Sequence, residues 1–294
     1  MKTKTLNTIL VCFIILFSII VAYTGFFSNE SMDEGKKFET VNGEIVTLYG
    51  KGLYHKESVS MASQARAQDI VTLVFAIPLL ILSLILTNKN SIKGKLLLTG
   101  TLGYFLYTYV TYSFLTMYNQ FFLIYVLIMS LSLFAFLINI CSLSSKGLKD
   151  HFNQKFPKKY IGIFNIFMGV CVCLLWLGMI IASIGGVPSV LEHYTTLVIQ
   201  AMDLGIVVPV AILSGILLIK DNSLGYLFAP IIIIKGVTLV LAIVMMIIFM
   251  AYSGVNISIV EAIMFPLFAI VLMVNLYLVL KNLEEEKNTN RIIK

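Results

Sequence analysis

Two charged residues interrupt apolar segments of the chain and could take part in binding. Asp203 follows Gln200 by three positions, and Lys235 lies inside the apolar run IIIIKGVTL, residues 231–239. A charge near the centre of a membrane helix costs roughly 2.5–3.5 kcal/mol, so such a residue usually faces a partner or a wet cavity. We predict that Lys235 pairs with Asp203. The pair is then either a purely structural ion pair or part of a site in which Lys235 holds an anionic group.

Polar side chains recur at helical spacing in three apolar segments, because steps of three, four and eleven residues return to nearly the same side of a helix. The three sets are Thr196, Gln200, Asp203 and Ser214; Gly100, Tyr104, Tyr107, Thr108, Thr111 and Tyr118; and Lys235, Thr238 and Ser253. Side chains of this kind often do no more than join neighbouring membrane helices. As candidates for a substrate site or ion pathway we take Gln200, Tyr104, Tyr107 and Thr111, besides the two charges.

Further titratable residues cluster near one end of the apolar segments. They are His55, Glu57, Arg66, Asp69, Glu192, His193 and Glu261. Together they predict a polar vestibule above Asp203 and Lys235, with Asp69 and Glu261 as further candidate site residues. The same residue types suit metal or acid–base chemistry. The sequence contains neither H-E-x-x-H nor G-x-S-x-G, however, and we predict no metal and no cofactor.

The composition identifies the environment in which these residues act. The chain of 294 residues is 59% hydrophobic and 12% charged, whereas a soluble domain is about 45–50% apolar and about 25% charged. We therefore predict a multi-pass membrane protein surrounded by a lipid bilayer. The lysines lie in short connections between apolar runs, which argues against a nucleic-acid partner. Nineteen lysines against two arginines, with abundant Ile and Asn, indicate an AT-rich bacterial genome.

Eight segments are long enough to cross a membrane, since a crossing helix needs about 20 mostly apolar residues. They are about 7–27, 68–87, 96–117, 121–143, 160–185, 196–219, 225–252 and 258–281. The first is longer than the apolar region of a secretory signal, so we predict that it is retained. The fold class is thus an all-α bundle of eight transmembrane helices in a single membrane domain, 1–294.

The basic residues determine the predicted orientation. With the N-terminus inside, the inner segments carry fifteen of the 21 lysines and arginines, and the long first outer loop carries five. Basic residues accumulate in cytoplasmic loops. Both termini are therefore predicted to lie in the cytoplasm, with the protein in the bacterial plasma membrane.

The first outer loop, 28–67, is predicted to contain a β-hairpin at about 37–49. Side chains alternate around Asn42-Gly43, a dipeptide that favours a two-residue type I′ turn. The stretch SVSMASQARAQD lacks Gly and Pro, so it should extend the second span outward as helix. The loop around 144–159 should be a solvated basic connector, and the tail from 283 a frayed helix.

The two halves of the chain contain a candidate internal repeat. Pro78 and Pro209 begin the similar strings PLLILSLIL and PVAILSGILL, and each is followed by a serine after five residues and a glycine after sixteen. Asp69 and Asp203 precede the two prolines at unequal spacings of nine and six. The pattern predicts parallel repeats, 1–143 and 160–281, with a site at their interface.

Three stretches, ARAQDIVTL, GTLGYFLYTY and DLGIVVPVAILSG, resemble an uncharacterised family of bacterial multi-pass membrane proteins. They cover parts of the second, third and sixth predicted spans. The family has no assigned activity, so the resemblance implies a membrane location and nothing about mechanism.

These observations favour a transport or permeation protein for a small solute or ion. It would use the buried Asp203/Lys235 pair beneath an outward-facing polar cavity. Two alternatives stay open: a membrane sensor, scaffold or assembly factor that binds through the hairpin, and an intramembrane enzyme acting on a lipid-linked substrate at the outer face. The sequence does not indicate an oligomeric state.

Overall fold

The computed structural model describes residues 3–32, 34–40, 43–143, 145–188 and 191–285. Within these ranges the chain forms a bundle of eight long helices and one short one. They are α1 (Thr3–Phe27), α2 (Val59–Asn88), α3 (Ile92–Phe114), α4 (Phe122–Ser142), the short α5 (Ser145–Asp150), α6 (Lys158–Ala182), α7 (Val198–Ile219), α8 (Ser223–Tyr252) and α9 (Ile259–Asn282). The short helix α5 replaces part of the predicted basic connector. The tail predicted as helix from 283 is not helical at 283–285, where Leu283 forms a β-bridge with Phe152, and its remainder lies outside the described residues.

Seven of the long helices are long and apolar enough to cross a membrane, which makes the chain a multi-pass membrane protein. The helix outside this set is α3, the predicted span 96–117. It begins with Lys93 and Lys95 and contains several tyrosines and threonines, so its composition is less apolar than that of the others. Its 23 residues extend about 34 Å, slightly farther than the 21 residues of α4 and less far than the 30 residues of α2 or α8.

Hydrogen bonds between the segments that connect the helices show which helix ends lie on the same side of the bundle. At the end we call the termini end, Lys4 donates to the carbonyl of Asn88 at 2.7 Å, and Glu285 accepts from the backbone N–H of Ile92 at 2.8 Å. At the other end, which we call the hairpin end, Glu57 accepts from the backbone N–H of Met117 at 2.7 Å. The first and last described helices therefore begin and end on the same side of the bundle.

The hairpin is present, but its turn differs from the prediction. Strands β1 (Lys37–Glu39) and β2 (Ile45–Thr47) pair antiparallel. Beyond them, the N–H of Thr40 donates to the carbonyl of Glu44 at 2.8 Å, which leaves three residues in the connection rather than two. Gly43 has a φ of +79°, as a three-residue connection ending in a left-handed residue requires. Asn42 lies outside the described residues.

Two helices contain the same irregularity at corresponding positions. In α2 a π-helical turn, Thr72–Ala76, precedes Pro78, and in α7 a π-helical turn, Asp203–Val207, precedes Pro209. A proline ring clashes with the carbonyl four residues earlier, and a widened π turn relieves such crowding. The α-helices that follow, Ile77–Asn88 and Val208–Ile219, have the same length and carry their proline at the same position. The candidate repeat thus has a matching local geometry at its two proline segments.

The predicted extension of the second span is confirmed. Ser58 caps the helix by accepting from the backbone N–H of Met61 at 3.1 Å, and α2 continues from Val59 to Asn88. This extension brings Gln64, Gln68 and Asp69 into the interior of the bundle near its hairpin end.

Candidate functional site

A chamber of about 370 Å³ lies inside the bundle, bordered by α2, α3, α6, α7, α8 and α9. Its volume falls in the range of small-molecule sites, about 300–1,000 Å³. Polar residues in its wall include Gln64, Gln68, Tyr107, Thr108, Thr111, Asp203 and Lys235, and apolar ones include Trp176, Val240, Met246, Phe265, Phe268 and Leu272. Glu57 and Glu261 line it at the hairpin end. The chamber therefore combines a small polar region with extended apolar walls.

Lys235 reaches the chamber from α8 and is buried, with 7% of its surface exposed. Its neighbours along the helix, Ile233 and Ile234, pack in the core. Helix α3 approaches closely here because Gly100 lacks a side chain: an added Cβ would lie 2.4 Å from that of Ile234. This approach places the Nζ atom of Lys235 3.9 Å from the ring centre of Tyr107.

Asp203 is the first residue of the π-helical turn in α7, and both of its oxygens accept hydrogen bonds. The hydroxyl of Tyr107 donates to Oδ1 at 3.0 Å, and the indole N–H of Trp176 donates to Oδ2 at 2.9 Å. Each carboxylate oxygen is therefore already engaged by a neutral donor.

The predicted direct pairing of Lys235 with Asp203 is wrong for this structure. Among the described residues, the Nζ of Lys235 has no hydrogen-bond partner. Tyr107 contacts both residues instead, through its ring face and its hydroxyl. The apolar segments identify the two charges on α7 and α8, but they carry no information about a side chain from α3 that contacts both.

The predicted polar faces are only partly assembled. Gln200 is buried one turn before Asp203, and Thr111 lies in the chamber wall. Ser214, however, points away: it accepts from the side-chain amide of Asn165 at 3.3 Å and is absent from the chamber wall. The π-helical turn between Asp203 and Ser214 contains one residue more than an α-helical turn. The part of α7 that follows is therefore rotated about the helix axis relative to a regular α-helix.

The other members of those faces also separate. Thr196 precedes α7 and is exposed, and Tyr118 lies beyond the end of α3 with 72% of its surface exposed. The hydroxyl of Thr238 donates to the carbonyl of Lys235 at 2.8 Å, and Ser253 hydrogen-bonds Ser63 at 2.8 Å. Thr238 and Ser253 thus bond to other parts of the protein, and none of these four side chains is part of the chamber wall.

Tyr104 belongs to a hydrogen-bonded cluster behind the chamber wall. The amide of Gln68 donates to its hydroxyl at 2.5 Å, and the hydroxyl of Thr72 lies 3.0 Å away. In the matching register of the two proline segments, Thr72 corresponds to Asp203 and Tyr104 corresponds to Lys235. Thr72 and Tyr104 hydrogen-bond each other directly, whereas the side chains of Asp203 and Lys235 do not.

Asp69 is buried in a second cluster next to the chamber. Its Oδ2 accepts from the hydroxyl of Tyr54 at 2.6 Å and its Oδ1 from that of Tyr112 at 3.1 Å. Arg66 instead donates to the hydroxyl of Tyr49 at 2.5 Å. At Gly25 of α1 an added Cβ would lie 2.0 Å from Oδ2 of Asp69, so only glycine fits there without a shift.

At the hairpin end a cluster around Glu57 closes one side of the chamber. Besides the backbone N–H of Met117, Glu57 accepts from the hydroxyl of Tyr194 at 2.5 Å. Burial raises the pKa of Glu57 from 4.5 to about 7, although both hydrogen bonds oppose the shift. Burial also raises the pKa of Glu192, which accepts from the hydroxyl of Ser58. The cluster links the first loop to the 115–121 and 183–197 connections.

The remaining predicted vestibule residues have local roles. A ring nitrogen of His55 hydrogen-bonds the carbonyl of Gly52, and one of His193 that of Lys56, both at 3.0 Å. Glu261 is exposed and accepts from the backbone N–H of Ser258 in a capping box at the start of α9. Within the described ranges, no three His, Cys, Asp or Glu side chains come together as a metal site requires.

Sequence reasoning missed Trp176, Gln68, Tyr54 and Tyr112. Trp176 carried a usable signal, because it is the single tryptophan of the chain and lies within an apolar segment rather than at its end. The two tyrosines carried none, since their role depends on Asp69, which is distant from both in the sequence.

The helices and the chamber define a multi-pass membrane protein with a partly polar interior site. Comparison with protein-family models, with curated proteins and with solved structures finds no match to this chain.

Proposed function

We propose that the protein is a transport or permeation protein of the bacterial plasma membrane that moves a small solute or ion through the chamber. The observation that carries the proposal is Lys235, a cation that is buried in the bundle, faces a cavity and has no hydrogen-bond partner among the described residues. Buried charges in membrane proteins mark solute and ion pathways more often than they serve packing alone.

In this proposal all eight long helices, α3 included, cross the membrane. The basic residues at the termini end then lie in the cytoplasm, as basic residues in short loops usually do. The hairpin and the Glu57 cluster lie outside. The chamber therefore has its acidic border on the outer side and Lys235 deeper in the membrane.

The solute binds to the ammonium of Lys235 from the chamber side, beside the ring of Tyr107. Asp203 keeps its two donors, Tyr107 and Trp176. The segments 1–143 and 160–281 act as parallel repeats that move relative to each other. Repeats of this kind commonly bind their substrate at the interface between them, and the π-helical turns before Pro78 and Pro209 are the points where α2 and α7 bend.

Flux measurements on the purified full chain test the proposal. Proteoliposomes are loaded with a defined mixture of carboxylates, amino acids, nucleosides and inorganic ions, and the retained solutes are measured by mass spectrometry. We expect saturable loss of at least one solute, abolished by Lys235→Met and unchanged by Ser214→Ala, which alters α7 away from the chamber. The proposal fails if every solute leaks at the rate of protein-free vesicles, or if Lys235→Met transports as well as the parent protein.

A further inference from the structure

We infer that the chamber binds an amphipathic monoanion, with its acid group on the Nζ of Lys235 and its apolar chain along the Phe265–Phe268 wall. This inference rests on the proposed function, because it names the substrate class of the same chamber. The inference concerns binding in the chamber and does not depend on the route or the direction in which the solute moves.

Among the described residues, no acceptor lies within hydrogen-bond distance of the Lys235 ammonium. An ammonium has three N–H donors and no acceptor, and Lys235 is more than nine-tenths buried with none of these donors used within the described residues. The ring of Tyr107 stabilises the charge through its face but accepts no conventional hydrogen bond. An anionic oxygen from a ligand is the group that would complete this site.

Both oxygens of the neighbouring Asp203 carboxylate already accept a hydrogen bond. Asp203 accepts from Tyr107 and Trp176, one donor to each oxygen. It therefore does not need a cationic or zwitterionic ligand to balance its hydrogen bonds. Among the described residues of the chamber wall, the ammonium of Lys235 is the charged group without a hydrogen-bond partner, and this favours an anion over an amine.

The charged residues in the chamber wall limit the charge that a ligand can carry. Among the described residues in the chamber wall, Lys235 is the one basic residue, whereas Glu57, Asp203 and Glu261 are acidic. A second negative charge on the ligand would meet these carboxylates without a cation of its own. The chamber therefore fits a single negative charge.

The apolar walls of the chamber favour a ligand that carries an apolar chain besides its acid group. Met246, Phe265, Phe268 and Leu272 form apolar walls that an inorganic anion would leave uncovered. Covering apolar surface contributes about 25 cal/mol for each Å² removed from water. An anion with an aliphatic or aromatic chain gains this contribution, and a small hydrated anion does not.

Trp176 makes the inference directly measurable. It is the single tryptophan of the chain, and it lies in the chamber wall. The full-length protein in detergent is titrated with 11-bromoundecanoic acid, whose bromine quenches tryptophan fluorescence, and in parallel with uncharged 11-bromoundecanol. We expect saturable quenching by the acid, reversed by excess undecanoic acid, and at least about tenfold weaker binding of the alcohol, since hydrogen bonds to charged groups contribute about 1.5–3 kcal/mol.

Variants separate recognition by Lys235 from general partitioning into the apolar chamber. Lys235→Met should lower the affinity for the acid to that for the alcohol and leave the alcohol unaffected, while Ser214→Ala should bind both like the parent protein. The comparison of acid and alcohol in the parent protein decides the point independently of how Lys235→Met folds. Equal binding of acid and alcohol, quenching that does not saturate, or tighter binding of undecanedioic acid would overturn the inference.

A free amphiphile and an anionic membrane lipid share the chemistry that Lys235 recognises. Displacement of the brominated acid by phosphatidylglycerol but not phosphatidylcholine, in nanodiscs, identifies the lipid as a source; displacement by neither identifies the free acid. The binding experiment and the flux experiment can fail independently of each other. Selective acid binding without flux keeps the ligand class and rejects the proposed function, whereas flux of another solute without acid binding does the reverse.

Discussion

The ammonium of Lys235 lies 3.9 Å from the ring centre of Tyr107, although the two residues belong to different helices and no sequence pattern connects them. A cation over an aromatic face gains about 2 kcal/mol or more when both groups are desolvated. The hydroxyl of the same ring donates to Asp203 at 3.0 Å. Tyr107 is therefore the side chain that connects the buried charges of Lys235 and Asp203.

Tyr107→Phe should separate the two functions of this side chain. The ring contact with Lys235 is retained, and the hydrogen bond to Asp203 is lost. We expect a loss of about 1–3 kcal/mol in the free energy of unfolding, because a buried carboxylate loses a donor. Unfolding of the detergent-solubilised protein checks this. In the Asp203→Asn background the same substitution should cost less, and an equal cost would show that the hydrogen bond contributes nothing.

Lys235→Met should fold at least as well as the parent protein. The substitution removes a buried ammonium without a hydrogen-bond partner and leaves Asp203 with both of its donors. A direct buried ion pair would behave differently, since loss of one partner costs about 3–5 kcal/mol. The double variant Lys235→Met with Asp203→Asn therefore tests the arrangement: a coupling of several kcal/mol would indicate a direct pair and contradict the structure.

The spans were predictable and most of the site was not, for a physical reason. Long apolar runs determine helices such as α6 and α8 by local composition alone. The positions of side chains around a helix depend on an unbroken 3.6-residue repeat, and the π-helical turn at Asp203–Val207 breaks it, so Ser214 faces Asn165. Contacts such as Tyr107 with Lys235 depend on which helices adjoin, and hydropathy carries no information about that.

The stability of the protein should fall as the pH rises from about 4.5 to 7. Burial raises the pKa of Glu57 to about 7, so over this interval the folded state binds more protons than the unfolded state. The loss contributed by Glu57 is on the order of 3 kcal/mol and is complete above pH 7. Thermal unfolding of Glu57→Gln should depend less on pH over the same range.

Glu192 also has a raised pKa, so Glu192→Gln is the matched variant for this measurement. It should leave most of the pH dependence in place, because Glu192 is less buried than Glu57. Identical pH profiles of the parent protein and Glu57→Gln would show that Glu57 is not the group responsible.

Gly25→Ala should destabilise the bundle, whereas Gly178→Ala should not. A Cβ at Gly25 would lie 2.0 Å from Oδ2 of Asp69 and 2.6 Å from the hydroxyl of Tyr54, so α1 or the Asp69 cluster must shift. At Gly178, within α6, an added Cβ meets nothing within 4 Å, and alanine improves helix propensity by up to about 1 kcal/mol. Unfolding temperatures of the two variants give the comparison, and equal temperatures would contradict the close contact at Gly25.

Cysteine labelling tests the proposed orientation in the membrane. In a background without the four native cysteines, Asn256→Cys at the hairpin end should react with a membrane-impermeant maleimide in sealed cells. Gln154→Cys at the termini end should react only after the membrane is opened. Both positions are exposed in the structure, so a difference reports the side of the membrane rather than burial. Labelling of Gln154→Cys in sealed cells would reverse the orientation, and labelling of both positions would mean that the two ends are not separated by the membrane.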